Sequence, residues 1–322
     1  MKTQSYHAFW QRLHHAAEKD ALPLRMMFEV TYGCNFKCRH CYVPASYRRH
    51  YAKSEIGTRE ACSVLDQLKE AGCFYLGFTG GEPFLRKDIM QVLKHAAKCG
   101  FEIIINTNGS LITEETAGQL KDLYLNKVDI TLPAMSEGAF AAVTGVRGAR
   151  KKVFGAVELL RKNGIPLGFK TCLLEENKSE IEDIQDFAAS CGALHRLDDK
   201  LLPRLNGSRQ PFAYRARQSL RPYAPDVECG TRDFFSCGIG LTQAAITPAG
   251  ELKMCVMFDH PKYNILDKGP AGGFQRAWDR LKRLAVSMQF PDGHRWQGAP
   301  EIPDSPSCPA IAWLKGRAKR RR

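Results

Sequence analysis

Three cysteines, Cys34, Cys38 and Cys41, fall in the short stretch TYGCNFKCRHCYVP. Thiolates at C-x3-C-x2-C spacing are metal ligands, and the question is which metal needs three of them. A structural zinc normally closes a shell of four ligands. The nearest nitrogen donor, His40, is adjacent to Cys41, so the two could share one ion only with strain. Three thiolates on a four-iron cluster instead leave one iron open to a small molecule. The spacing therefore favours an iron-sulfur cluster with a vacant position over zinc.

Such a loop needs a rigid element to present it. From about residue 25 to about 198 short β-prone runs alternate with helical patterns, the signature of βα units around a parallel sheet. Six strands are expected: Arg25 to Thr31, Phe74 to Phe78, Phe101 to Asn106, Lys127 to Leu132, Pro166 to Leu173 and Ala193 to Leu197. Between them, Ala61, Val64, Leu65 and Leu68 form one helical face with Thr58 as its cap, and Ile89, Val92, Leu93 and Ala96 form another that ends at Gly100. Further helices are expected from Thr113 to Leu125, Ala149 to Asn163 and Ser179 to Cys191. Six units are too few to close an eight-fold barrel, but an open partial barrel still gathers functional residues at the carboxyl ends of its strands. The cysteine loop follows the first strand, at that rim. After residue 197 the rhythm fails in a Pro-, Arg- and Gly-rich connector. A Pro-Ala-Gly turn within CGIGLTQAAITPAGELKMC then predicts a hairpin between Cys237 and Cys255.

Composition narrows the classes. Lys and Arg outnumber Asp and Glu by 13, which suits an acidic partner. No apolar run approaches the roughly 20 residues of a membrane span, and the amino terminus is not a signal peptide, so a cytoplasmic location and no membrane partner are expected. Twelve cysteines in a reducing compartment imply metal ligands beside buried thiols rather than disulfides. Cys62, Cys73, Cys99 and Cys191 lie in or just after helices and are expected to pack as small apolar groups.

The sequence resembles the radical S-adenosylmethionine superfamily, whose members carry C-x3-C-x-aromatic-C after the first strand of a partial (β/α)6 barrel. His40 stands where an aromatic ring is usual. FTGGEPFL resembles the family's GGEP motif, which makes Gly80, Gly81 and Glu82 cofactor-binding candidates, with Glu82 accepting from the methionine ammonium. Thr107 and Asn108 in IIINTNGS resemble the segment lining the ribose side. Thr171 is expected to face the cofactor from the fifth strand, and Cys172, its neighbour, to point away into packing. In the family the open iron of a [4Fe-4S] cluster chelates S-adenosylmethionine, and reductive cleavage yields a 5′-deoxyadenosyl radical. Cys237, Gly250 and Cys255 resemble the first half of a SPASM or twitch extension, which implies an auxiliary [4Fe-4S] cluster on Cys229, Cys237, Cys255 and Cys308. The implied division is a helical segment over 1–24, the barrel over 25–205, a connector over 206–228 and the cluster-binding extension over 229–322.

These features most resemble maturases of ribosomally made peptides, which form crosslinks or thioethers or epimerise residues. The expected partners are a precursor peptide, a separate leader-binding protein and a reductant such as flavodoxin or ferredoxin. A small-molecule dehydrogenase or epimerase acting on an aminoglycoside-like substrate is the enzymatic alternative. A zinc-containing nucleic-acid-binding module would fit the charge, but the chain has no recognisable RNA-binding motif, so nucleic acid is not an expected partner.

Overall fold

The computed structural model describes residues 12, 13, 15–17, 19–199, 201–217, 239–267 and 273–287. Six strands, β1 (Arg25–Thr31), β2 (Tyr75–Gly80), β3 (Glu102–Thr107), β4 (Lys127–Thr131), β5 (Leu167–Cys172) and β6 (Leu194–Asp198), pair parallel in chain order. Their ends differ from the sequence expectation by at most two residues. The crossovers carry helices α1 (Ala45–Tyr51), α2 (Thr58–Glu70), α3 (Ile89–Cys99), α4 (Glu114–Lys121), α5 (Glu137–Thr144), α6 (Ala149–Lys162) and α7 (Ile181–Ser190). The short helices α1 and α5 are additions to the sequence reading.

Alternation along each strand separates two chemistries. One face presents Phe28, Phe78, Ile103, Ile105, Val128, Ile130 and Phe169, all buried beneath the helices. The opposite, inner face is polar. Asp129 there takes both Lys127 and Lys170 at 2.9 Å, and Lys170 also donates to Asn106, so an ion-pair cluster ties β3, β4 and β5 together inside the barrel.

The helices follow their sequence signals with one change of cap. In α2 the buried face is the expected Ala61, Val64, Leu65 and Leu68, but the N-cap is Gly57, whose N–H donates to Glu60 Oε2 at 2.9 Å. The Thr58 hydroxyl instead donates to Asp88 at the start of α3. Gly100 closes α3 in the left-handed region at φ 85°, which glycine enters without a Cβ penalty.

The predicted hairpin is present and is joined to the barrel. Strand β7 (Gln243–Ile246) pairs parallel with β1, β8 (Glu251–Cys255) returns antiparallel, and β9 (Phe258–Asn264) adds a third strand. One sheet of order β6-β5-β4-β3-β2-β1-β7-β8-β9 results. It ends in two edges, so the fold is an open partial (β/α)6 barrel extended by a β-hairpin unit. Helix α8 (Gly273–Ser287) buries Phe274, Trp278 and Leu281, and the Trp278 indole donates to Ala21 O at 2.9 Å. No described helix is long and apolar enough to cross a membrane.

Candidate active site

The carboxyl ends of β1, β2 and β3 are held together by short backbone contacts. Gly81 N–H donates to Thr31 O at 2.7 Å and Glu82 N–H to Gly33 O at 2.8 Å. A Cβ on Gly81 would lie 2.0 Å from Gly33 O, and one on Gly80, at φ 128°, would lie 2.1 Å from Thr31 O. No side chain fits at either position. What the two glycines approach closely is therefore the loop that carries the cysteines, which fixes the GGEP turn against it.

Glu82 is fully buried. Its Oε1 accepts from Thr107 Oγ1 at 2.7 Å and Phe84 N–H at 3.1 Å, and its Oε2 accepts from Asn108 N–H at 2.7 Å. Every donor is neutral. Burial raises the carboxyl to about 7, against the lowering effect of these hydrogen bonds. Asn108 reaches onward: its Nδ2 donates to Asn35 Oδ1 at 2.8 Å and points at Cys34 Sγ at 3.9 Å, while Asn35 Nδ2 donates to Ser110 Oγ at 2.8 Å. Asn35 and Ser110 escaped the sequence reading. The position of Asn35 inside the C-x3-C loop was the available signal.

The three sulfurs occupy one neighbourhood. Burial raises the Cys34 and Cys38 thiols, and the charges of the other two loop cysteines add to this in Cys38. Cys34 Sγ accepts from Phe36 N–H at 3.4 Å, and Cys41 Sγ accepts from Arg48 Nη2 at 3.6 Å. A tetrahedral zinc with Zn–S near 2.3 Å would set its sulfurs roughly 3.8 Å apart. The loop sulfurs do not close to a mutual 4.8 Å, whereas another group among the described residues does. Arg48 stands at the loop: its guanidinium points at Cys41, and its buried Nε has no partner among the described residues, which leaves a donor there suited to an anionic group. Arg48 was missed because it lies on α1.

His40 is half-buried, its buried Nδ1 has no partner among the described residues, and burial lowers it to about 4, with Asp198 opposing. It is a neutral ring, in the place where the motif normally has an aromatic one.

The fifth strand reverses the sequence expectation. Thr171 Oγ1 donates to Leu132 O at 2.7 Å and meets His195 Nε2 at 2.9 Å, which places it on the helix-facing side of the sheet with Phe169. Cys172 shares the inner face with Lys170 and feels the charges of Asp198 and Cys41; burial, then Asp198, pushes its thiol up to about 12. The inward residue of the pair is the cysteine.

A second buried cluster joins the barrel to the hairpin. Glu29 on β1 and Lys253 on β8 are both fully buried, with Lys253 Nζ 2.7 Å from Glu29 Oε2. Tyr32 donates to Glu29 Oε2 at 2.8 Å and Tyr42 to Oε1 at 3.2 Å. Burial raises Tyr42 well above the usual phenol range, as do the charges of Glu29, Cys41 and Cys255, so this ring lies within electrostatic reach of a loop cysteine and of the hairpin cysteine. Leu205 N–H donates to Tyr42 O at 2.9 Å, which sets the Arg204–Gly207 turn on the cysteine loop. Of the four cysteines expected to hold an auxiliary cluster, Cys255 stands at the end of β8. Cys229, Cys237 and Cys308 lie outside the described residues.

Comparison with known proteins agrees with this geometry. The PqqA peptide cyclase of Bradyrhizobium diazoefficiens is 29% identical over 216 residues, 67% of this chain and 55% of the relative. The AdoMet-dependent heme synthase of Oleidesulfovibrio alaskensis is 28% identical over 166 residues, 52% of this chain and 42% of the relative. The chain thus spans about half the length of these curated relatives. The crystal structure of Streptococcus suis SuiB bound to precursor peptide SuiA superposes with a TM-score of 0.64 at 17% identity, covering 90% of this chain and 74% of that one, a likeness of fold. Residues 28–188, half of the chain, match the sequence model of the Radical SAM superfamily, and the chain belongs to that superfamily.

Proposed function

We propose that this chain uses S-adenosylmethionine to modify a ribosomally made precursor peptide by radical chemistry. The observation that carries this reading is the placement of Cys34, Cys38 and Cys41 beside a buried, charge-unpaired Glu82, with Asn108 bonded to the carboxylate and to the cysteine loop. The three thiolates hold a [4Fe-4S] cluster. Such a cluster would supply the electron for reductive cleavage of the cofactor's sulfonium, the source of the radical chemistry. Glu82 accepts from the cofactor's ammonium, Thr107 holds Glu82 in orientation, and Gly80 and Gly81 keep the two loops in register. Arg48 offsets negative charge at Cys41. Cys229, Cys237, Cys255 and Cys308 would hold an auxiliary cluster.

A peptide substrate is supported by the printed activity of the cyclase relative and by the peptide bound to SuiB. The net charge of +13 suits an acidic leader, delivered with a separate leader-binding protein, and flavodoxin or ferredoxin serves as reductant. Anaerobic incubation of the cluster-loaded chain with S-adenosylmethionine, a reductant and candidate precursor peptides, read by mass analysis, tests both halves. The expected result is 5′-deoxyadenosine together with a peptide mass change. Turnover on a tetrapyrrole or aminoglycoside and on no peptide would overturn the substrate assignment, and absence of 5′-deoxyadenosine would overturn the cofactor chemistry.

A further inference from the structure

Cys62 and Cys99 read in the sequence as small helical packing residues, and the structure gives them a different setting. Both are only partly buried, one on each of the helices α2 and α3, and the charge of Cys62 acts on Cys99. Each stands one turn from a second donor. Cys62 and Asp66 are four residues apart on α2, and His95 and Cys99 are four apart on α3, so each pair shares a helix face. His95 Nε2 donates to Asp66 Oδ1 at 2.7 Å, and Cys99 Sγ points at the same oxygen at 3.7 Å. The ligand atoms of Asp66, His95 and Cys99 all lie within 4.8 Å of one another. Cys62 lies close enough that its charge acts on Cys99, and Asp66 acts on both thiols.

The geometry points to a second metal site, in which Asp66, His95, Cys99 and Cys62 bind a divalent cation of the zinc class. Two thiolates, one imidazole and one carboxylate make a borderline-soft, four-donor set that suits tetrahedral zinc rather than magnesium or calcium, which take oxygen shells. Asp66, His95 and Cys99 supply the preformed part, and Cys62, one helical turn from Asp66 and near enough for its charge to act on Cys99, is assigned as the fourth donor. Binding involves no redox step. The two thiols release their protons to solvent, and the imidazole proton now shared with Asp66 moves to Nδ1. The charges of Lys69 beside Cys99, and of Arg86 and Asp88 beside Cys62, complete the surroundings. The site lies on the helical layer, on α2 and α3. The ion would clamp together the two helices that follow β1 and β2, the strands whose ends carry Cys34 to Cys41 and Gly80 to Glu82.

The test uses the full, cluster-loaded chain under anaerobic conditions. Zinc is added, excess is removed by gel filtration, and zinc and iron are counted beside the same measurement on His95→Gln, Cys99→Ser and Cys62→Ser. The count is a difference between the chain and its variants, so zinc held elsewhere cancels. The expected result is one more zinc retained by the unsubstituted chain at equal iron content. Changes around a metal's ligands alone cost about 10–100-fold in affinity, so loss of His95 or Cys99 should weaken binding at least tenfold. Cobalt in place of zinc should give a thiolate-to-metal charge-transfer band that Cys99→Ser reduces, and amide exchange over residues 58–70 and 89–99 should slow on zinc addition. The substituted side chains are partly exposed, and circular dichroism checks that each variant is folded. Equal zinc in the chain and all three folded variants, or unchanged exchange in α2 and α3, would overturn the site and leave Asp66 and His95 as a surface ion pair. The proposal is independent of the activity assigned to the barrel.

Discussion

Glu29 and Glu82 are both completely buried, each near the end of a barrel strand, and the protein treats them in opposite ways. Glu29 has a cation of its own: Lys253 lies 2.7 Å away, and Tyr32 and Tyr42 supply hydrogen bonds. Glu82 has three hydrogen bonds and, among the described residues, no cation. A buried carboxylate with an internal partner joins two parts of a fold. One satisfied by neutral donors alone still lacks a positive charge, and a ligand can bring it. The difference separates the seam that joins hairpin to barrel from the place where a charged cofactor group would dock.

The largest expected effect therefore lies at the seam. Lys253→Met leaves Glu29 buried without its cation, and breaking such a pair from one side costs about 3–5 kcal/mol. Denaturant unfolding should show the loss, and adding Glu29→Gln to the same chain should restore most of it, because a neutral pair carries no uncompensated charge. A cost below about 1 kcal/mol for Lys253→Met would mean that water reaches the pair and the seam is not dry.

At Glu82 the effect should be divided between binding and folding. Glu82→Gln removes the charge offered to the cofactor's ammonium. Charge-assisted hydrogen bonds contribute about 1.5–3 kcal/mol, so affinity for S-adenosylmethionine should fall by roughly 10- to 150-fold in an anaerobic titration. The fold should also weaken, because the Gln amide NH2 must face one of the donors that the carboxylate now accepts from. Unchanged affinity would erase the distinction between the two glutamates.

Burial of Glu82 also predicts a pH dependence. The Glu82 carboxyl is raised to about 7, so in the ligand-free fold it keeps its proton over a range where the unfolded chain has lost it. The native state then binds more protons than the unfolded one, and its stability falls as pH rises from the ordinary carboxyl value toward about 7, levelling above that. Cofactor affinity should move the opposite way and strengthen across the same window, since the ammonium needs the ionised form. Unfolding midpoints from about pH 5 to about pH 8, compared with those of Glu82→Gln, isolate this group because the variant lacks the slope.

The barrel was legible because its signals are local. Strand runs such as Arg25–Thr31 and helical faces such as Ala61, Val64, Leu65 and Leu68 state their structure within a dozen residues. The C-x3-C-x2-C run and GGEP were legible for the same reason. What was hidden depends on contacts between residues distant in the chain. Nothing near Lys253 in sequence says that it will meet Glu29, and nothing near Asp66 points to His95. Gly81 signalled close approach correctly, but what it approaches, Gly33, is set by the parallel pairing of β1 with β2. Alternation established that Thr171 and Cys172 face opposite sides without saying which side was which. That phase is set by the register of β5 between β4 and β6.

The smallest predicted effect tests that phase. Thr171 spends its hydroxyl on Leu132 O and His195, beneath the helices, so Thr171→Val should cost about 1 kcal/mol of stability, the usual net worth of a buried hydrogen bond. Cofactor affinity should not change, because the hydroxyl is taken up by Leu132 O and His195 beneath the helices. Cys172→Ala makes the matching measurement on the inner face. Its thiol feels the charges of Cys41 and Asp198, so its loss should alter the spectrum of a cluster held by the neighbouring loop while leaving stability close to that of the parent. If Thr171→Val instead weakened S-adenosylmethionine binding and Cys172→Ala left the cluster spectrum untouched, the strand would be rotated by one residue. The inner face of β5 would then be read from Phe169 and Thr171, and the ion pairs of Lys170 with Asp129 would have to be abandoned with it.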